Sequence, residues 1–91
     1  MYRLIWTGRF TRSARKFAQS HPDLRRHLAQ VLRDLEGDPL QPHLRLHPLK
    51  GRLQGLHAVS VTYSHRITLT LKVTKKEIIL LDIGSHDEVY R

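Results

Sequence analysis

In the stretch AVSVTYSHRITLTLKV, residues 58–73, apolar and polar side chains alternate on both sides of Ser64-His65. A strand turns successive side chains to opposite faces, so this period of two predicts a hairpin with one apolar face and one polar face. Val59, Val61, Tyr63, Ile67, Leu69, Leu71 and Val73 fall on the first; Ala58, Ser60, Thr62, Arg66, Thr68, Thr70 and Lys72 fall on the second. An apolar sheet face must be covered, and the cover is encoded upstream. Phe10, Ala14, Phe17 and Ala18 recur at helical spacing from Thr7 to about Ser20. Leu24, Leu28, Val31, Leu32 and Leu35 form a second stripe that stops at Gly37 before Asp38-Pro39. Ser20 with Asp23 three residues on reads as the cap of the second helix, with Pro22 in its first turn. YRLIW at 2–6 reads as a strand, and IILLDIG at 78–84, apolar on both parities, as a strand deep in a sheet. The expected fold is therefore α+β in the order β-α-α-β-β-β. Two N-terminal helices pack on one face of a small, mainly antiparallel sheet, in a single domain over 1–91.

Ninety-one residues leave a thin core and no room for elaborate architecture. With no cysteine, disulfides and thiolate metal sites are excluded, and a reducing, cytoplasmic setting is expected. MYRLIW is too short for a signal-peptide core and no apolar run reaches membrane-spanning length, so no membrane partner is expected. Sixteen Lys and Arg against eight acids give a net charge of +8, which points to a polyanionic partner, nucleic acid foremost, or an acidic protein. Between helices and hairpin, GDPLQPHLRLHPLKGRLQG at 37–55 reads as an ordered loop too long to be a mere connection.

The segments LHPLKGRLQG, YSHRITL and DIGSHDEVY, in this order behind two helices, resemble the RelE/YoeB/YafQ superfamily of bacterial toxins, closest in pattern to the multi-histidine YafQ-like subgroup. The resemblance spans nearly the whole chain. It implies a type II toxin that cuts mRNA on the ribosome without a metal or other cofactor, inhibits translation, and is silenced by a cognate antitoxin. RNA supplies its own nucleophile, the 2′-hydroxyl. The protein then needs to move two protons, stabilise charge on the phosphate and hold the nucleotide in line.

His86 matches the family's terminal Gly-x-His and is the first candidate for proton transfer; otherwise it is an ordinary loop histidine. His47, in LHPLKG, matches the loop histidine that is the second proton-transfer group of the subgroup, or else caps its loop. Arg66 matches the family arginine opening the second hairpin strand, where a guanidinium can grip two phosphate oxygens, or else pairs across strands. Tyr90 is the terminal aromatic that stacks a base, or else packs the C-terminus down. Asp87 is a minor candidate for orienting His86.

Lys50 and Arg52 are expected at the cleft rim and Lys72 on the polar face. Arg12, Arg15 and Lys16, with Arg9, give the first helix a basic stripe that either is simply solvated or binds ribosomal RNA. His57, sharing the parity of Val59, is expected on the helix-covered face, and His65 in the turn. Relatives carry charged groups on the first hairpin strand where this chain has Ala58, Ser60 and Thr62, so the site leans on its histidines. His43 and His47 are four apart but Pro48 excludes a helix there, so no metal site is expected. Two other readings share the composition: a ParE-like poison of DNA gyrase on the same scaffold, and a non-catalytic RNA-binding module.

Overall fold

A computed structural model describes residues 1–90. The chain runs β1 (Arg3–Trp6), α1 (Gly8–Ser20), α2 (Arg25–Gly37), β2 (His47–Pro48), β3 (His57–Ser60), β4 (His65–Lys72), β5 (Glu77–Ser85) and α3 (His86–Val89). The five strands form one sheet in the order β1-β5-β4-β3-β2. β1 lies parallel to β5, and every other pairing is antiparallel. This is the expected α+β architecture, with β2 and α3 added.

Thr7 sets the first helix on the sheet. Its extended backbone lets Oγ1 accept from the Phe10 N–H at 3.1 Å, an N-cap, while the same hydroxyl donates to the Leu80 carbonyl at 2.7 Å. Phe10, Ala14 and Phe17 of α1 and Leu28, Val31 and Leu35 of α2 are then buried against Val59, Ile67, Leu69, Ile78, Leu80 and Ile83. The expected cap at Ser20 does not form. Ser20 is the last residue of α1, and a capping side chain needs an extended backbone; Pro22–Leu24 instead make a 3-10 turn, and α2 starts without a side-chain cap.

The apolar run of β5 has a second cause besides depth in the sheet. Thr68 pairs with Asp82 but Leu69 pairs with Leu80, so Leu81 is an extra residue, a β-bulge. The bulge shifts parity, bringing Ile78, Leu80 and Ile83 all to the helix-covered face. Beyond the bulge β1 has ended, and the Ser13 hydroxyl of α1 takes the Ile83 N–H at 3.2 Å in place of a strand partner.

Two expectations need correction. The face read as polar is not solvent-exposed along its whole length: Ala58 and Thr68 are buried there, and Val89 of α3 is buried apart from the helix-side cluster. His65 is the first residue of β4, not a turn residue, because the hairpin closes one residue earlier than Ser64-His65 suggested. Its ring packs against Phe17 and His21, with centroids 5.1 and 4.9 Å away. Burial there lowers its pKa below the usual histidine value, and His21 adds to the effect.

The unfolded chain therefore binds a proton at His65 more readily than the folded one. Stability from this site is fully present above about pH 6.5 and falls as the pH drops below it. The urea midpoint should decrease between pH 7 and pH 5, and His65→Phe, which keeps the aromatic packing, should flatten that decrease. An unaltered pH dependence in the variant would contradict this assignment.

Candidate active site

The C-terminal motif is built as a helix start. The Ser85 hydroxyl accepts from the Glu88 N–H at 3.3 Å, and Glu88 Oε1 accepts from the Ser85 N–H at 2.9 Å, a reciprocal capping box. Hydrogen bonding of the Glu88 carboxyl to Ser85, to its backbone N–H first and its side chain second, holds that carboxyl below the usual carboxylate range. The box gives GSHDEVY a rigid form: His86 is the exposed first residue of α3 and its ring meets Tyr90 edge-on, centroids 4.3 Å apart. Tyr90 is half-buried, and its hydroxyl is enclosed without a hydrogen-bond partner among the described residues. Asp87 is exposed and makes no bond to His86.

Gly84, just before the box, leaves room for α3 to fold back. A Cβ at residue 84 would lie 3.1 Å from both Cβ and Oε1 of Glu88. Gly84→Ala should therefore push Glu88 aside by a few tenths of an ångström, loosen the capping box that sets α3 and lower activity by up to roughly tenfold while the core stays folded. Wild-type activity in a folded variant would show that the position of α3 does not matter.

Arg66 lies directly across from Gly84, with Ser60 on its other side. Its Nη1 donates to the carbonyls of Thr62, Tyr63 and His65 at 3.0, 3.2 and 3.2 Å. These bonds pin the guanidinium to the hairpin loop and leave the edge formed by Nε and Nη2, the fork that matches two phosphate oxygens. Arg66 thus anchors the hairpin loop rather than pairing with a side chain across strands.

His47 pairs with Ala58, which pairs with Thr68, so it belongs to the face that carries Arg66. From strand spacings its Cα is about 12 Å from that of Arg66, two strands over and two residues along. His47 is exposed, and its Nδ1 lies 2.8 Å from the Arg45 carbonyl. A carbonyl only accepts, so Nδ1 donates in this bond and Nε2 is the ring nitrogen that faces away from it. The pairing of Arg66 with Gly84 sets its backbone two residues from the start of α3, which carries His86 and leads to Tyr90, with His47 at the opposite edge of the face.

Lys50 and Arg52 are exposed at the 3-10 turn Gly51–Leu53, on the same loop as His47. Lys72 does not join this group, being six residues along β4 from Arg66, about 20 Å, beside Glu77. On α1, Arg9, Arg12 and Lys16 line a groove of about 350 Å³ with His21, His65 and Glu88, Arg9 pairing there with Asp82 at 3.1 Å, whereas Arg15 is exposed outside it. His57 lies opposite Leu69, on the helix-covered side, with Nδ1 buried and without a partner among the described residues. Among those residues no three His, Asp or Glu side chains stand close enough to hold a metal ion. The residue the sequence reading missed is Glu88, although S-x-x-E at 85–88 is its signal.

A family model described as bacterial toxin of type II toxin-antitoxin system, YafQ, matches residues 2–91. Among solved structures, YafQ from E. coli strain BL21(DE3) superposes with a TM-score of 0.81 at 18% identity, covering 100% of each chain. A copper-bound mutant toxin from Helicobacter pylori gives 0.79 at 27% identity, covering 98% of this chain and 99% of that one. YafQ in the E. coli DinJ-YafQ complex gives 0.69 at 19% identity over 100% of both chains. No curated protein matches the sequence.

Proposed function

The chain belongs to the YafQ family of bacterial type II toxins, and from that premise we propose that it is an endoribonuclease that cuts mRNA on the ribosome by attack of the 2′-hydroxyl on the adjacent phosphate. The observation that most supports this reading is the guanidinium of Arg66, tied down through Nη1 with its phosphate-binding edge unused, beside the helix start that carries His86 and Tyr90. In the proposed reaction Arg66 holds the scissile phosphate and stabilises the charge that develops on it. One histidine takes the 2′ proton and another delivers a proton to the departing 5′ oxygen. His47, whose Nε2 faces away from the Arg45 carbonyl, suits the first task, and His86 the second. Tyr90 stacks a base and sets the sugar in line. Neither a metal nor an organic cofactor enters the scheme. The products are a 2′,3′-cyclic phosphate and a 5′-hydroxyl.

The partner that silences the protein is an antitoxin whose binding segment is acidic and amphipathic, to suit the net charge of +8. Like DinJ in its complex with YafQ, it forms a stable assembly with the toxin. It covers the face of Arg66 and α3, so that RNA and antitoxin compete.

The test is to add the purified protein to ribosomes programmed with an end-labelled messenger, at fixed magnesium, and identify the fragment ends. Fragments with a 5′-hydroxyl support the reading. A 5′-phosphate would mean that water is the nucleophile, and inhibition of gyrase without RNA cleavage would replace the reading with a ParE-like one.

A further inference from the structure

A second groove, of about 380 Å³, opens on the other side of Arg66, between α2 and the loop joining β3 to β4. Its lining includes His27, His43, Arg45, Ser60, Tyr63 and Arg66, and none of its lining residues is acidic. At its rim the Tyr63 side chain is 98% exposed. A ring this exposed packs almost none of its face against the protein and leaves that face available for stacking. The backbone beneath it is nevertheless fixed. Arg66 binds three loop carbonyls, Tyr63's among them, and Thr62 Oγ1 accepts from the N–H groups of Ser64 and His65, each at 3.1 Å. His27 bonds to the Val61 carbonyl, tying α2 to the same loop. His43 is held by Asp34 at 2.9 Å on the far wall. Arg45 closes the site from the loop whose carbonyl orients His47.

A solvent-facing aromatic on a fixed loop backbone, beside two guanidinium groups and with the Asp34 carboxylate already engaged by His43, has the chemistry of a nucleotide site. A base needs a flat apolar partner, and its phosphate needs cations. We propose that this groove is a second nucleotide subsite, in which Tyr63 stacks the base next to the cleaved position and Arg45 shares the intervening phosphate with Arg66. The inference rests on the RNA-cleaving reading and adds to it a residue that selects for the neighbouring nucleotide. Purines, with the larger stacking surface, are preferred there.

The test compares wild type, Tyr63→Ala and Tyr63→Phe in single-turnover cleavage of ribosome-bound messenger, with the flanking nucleotide varied between purine and pyrimidine. Tyr63→Ala should raise the half-saturating concentration roughly 5- to 150-fold, the usual worth of one stacked base, with less change in the rate at saturation. The loss should be greater with a flanking purine, and Tyr63→Phe should restore wild-type behaviour. Thermal melting should be unchanged in both variants, because the ring touches little of the protein. A Tyr63→Ala protein that cuts every substrate as wild type does would overturn the subsite while leaving the RNA-cleaving reading intact. Absence of cleavage by the wild type would overturn both. Weaker binding of an acidic partner protein, with RNA cleavage unaffected, would reassign the groove to that partner.

Discussion

His86→Ala should slow single-turnover cleavage by ~10²- to 10⁴-fold with little change in RNA affinity, the usual range for losing a general acid or base. Its ring is exposed, so removal leaves no cavity, and the capping box of α3 depends on Ser85 and Glu88 instead. The variant should melt like wild type. Tyr90→Ala is the informative companion, because it removes the ring that His86 meets edge-on and disturbs positioning more than chemistry. An unchanged rate for a folded His86→Ala protein would return the motif to being an ordinary helix cap after a strand.

Arg66→Ala should cost roughly 10²- to 10³-fold in the chemical step, the scale on which removal of one charge-stabilising donor acts. Part of any loss could arise from the loop, since Nη1 also holds three carbonyls. Arg66→Lys separates the two contributions. An ammonium can donate to the loop carbonyls and keep the charge, but it lacks the planar fork. If phosphate binding is the role, Arg66→Lys should keep the loop ordered, as reported by amide exchange at Ser64 and His65, and still cleave at least tenfold more slowly. Full activity in Arg66→Lys would show that only the loop anchor matters.

The parts of the fold written in periodicity were legible. Phe10, Ala14 and Phe17, and Leu28, Val31 and Leu35, fall where a 3.6-residue period puts them, and Val59, Ile67 and Leu69 where a period of two does. What pattern does not carry is pairing and short structure. The parallel contact of β1 with β5 joins residues more than seventy positions apart, such as Ile5 with Ile79, and no local signal encodes it. The Leu81 bulge is hidden because a run apolar on both parities fits a regular buried strand equally well. The two-residue β2 is too short to show any period.

At the site, the pairing of Arg66 with Gly84 was not legible either, because it depends on the hidden Leu81 bulge: the register that starts at Lys72 and Glu77 would otherwise set Arg66 opposite Ile83. Nor was the clamp from Nη1 onto the loop, which depends on the bend at residues 61–64. The cap at Ser20 failed for a similar reason: the motif S-x-x-D is satisfied in sequence, but Ser20 completes the preceding helix. The same kind of motif at Ser85 follows a strand, where the backbone is already extended, and there it does cap.

In the proposed reaction the 2′-hydroxyl of the RNA is the nucleophile, and the protein supplies proton transfer and phosphate binding around it. The most direct measurement replaces that one hydroxyl. A ribosome-bound messenger carrying a single 2′-deoxynucleotide at the cleaved position is compared with its all-ribose counterpart under single-turnover conditions. The all-ribose messenger should be cut and the substituted one should not, although it still competes for the protein. Cleavage of the 2′-deoxy messenger at the same bond and a similar rate would contradict the proposed reaction.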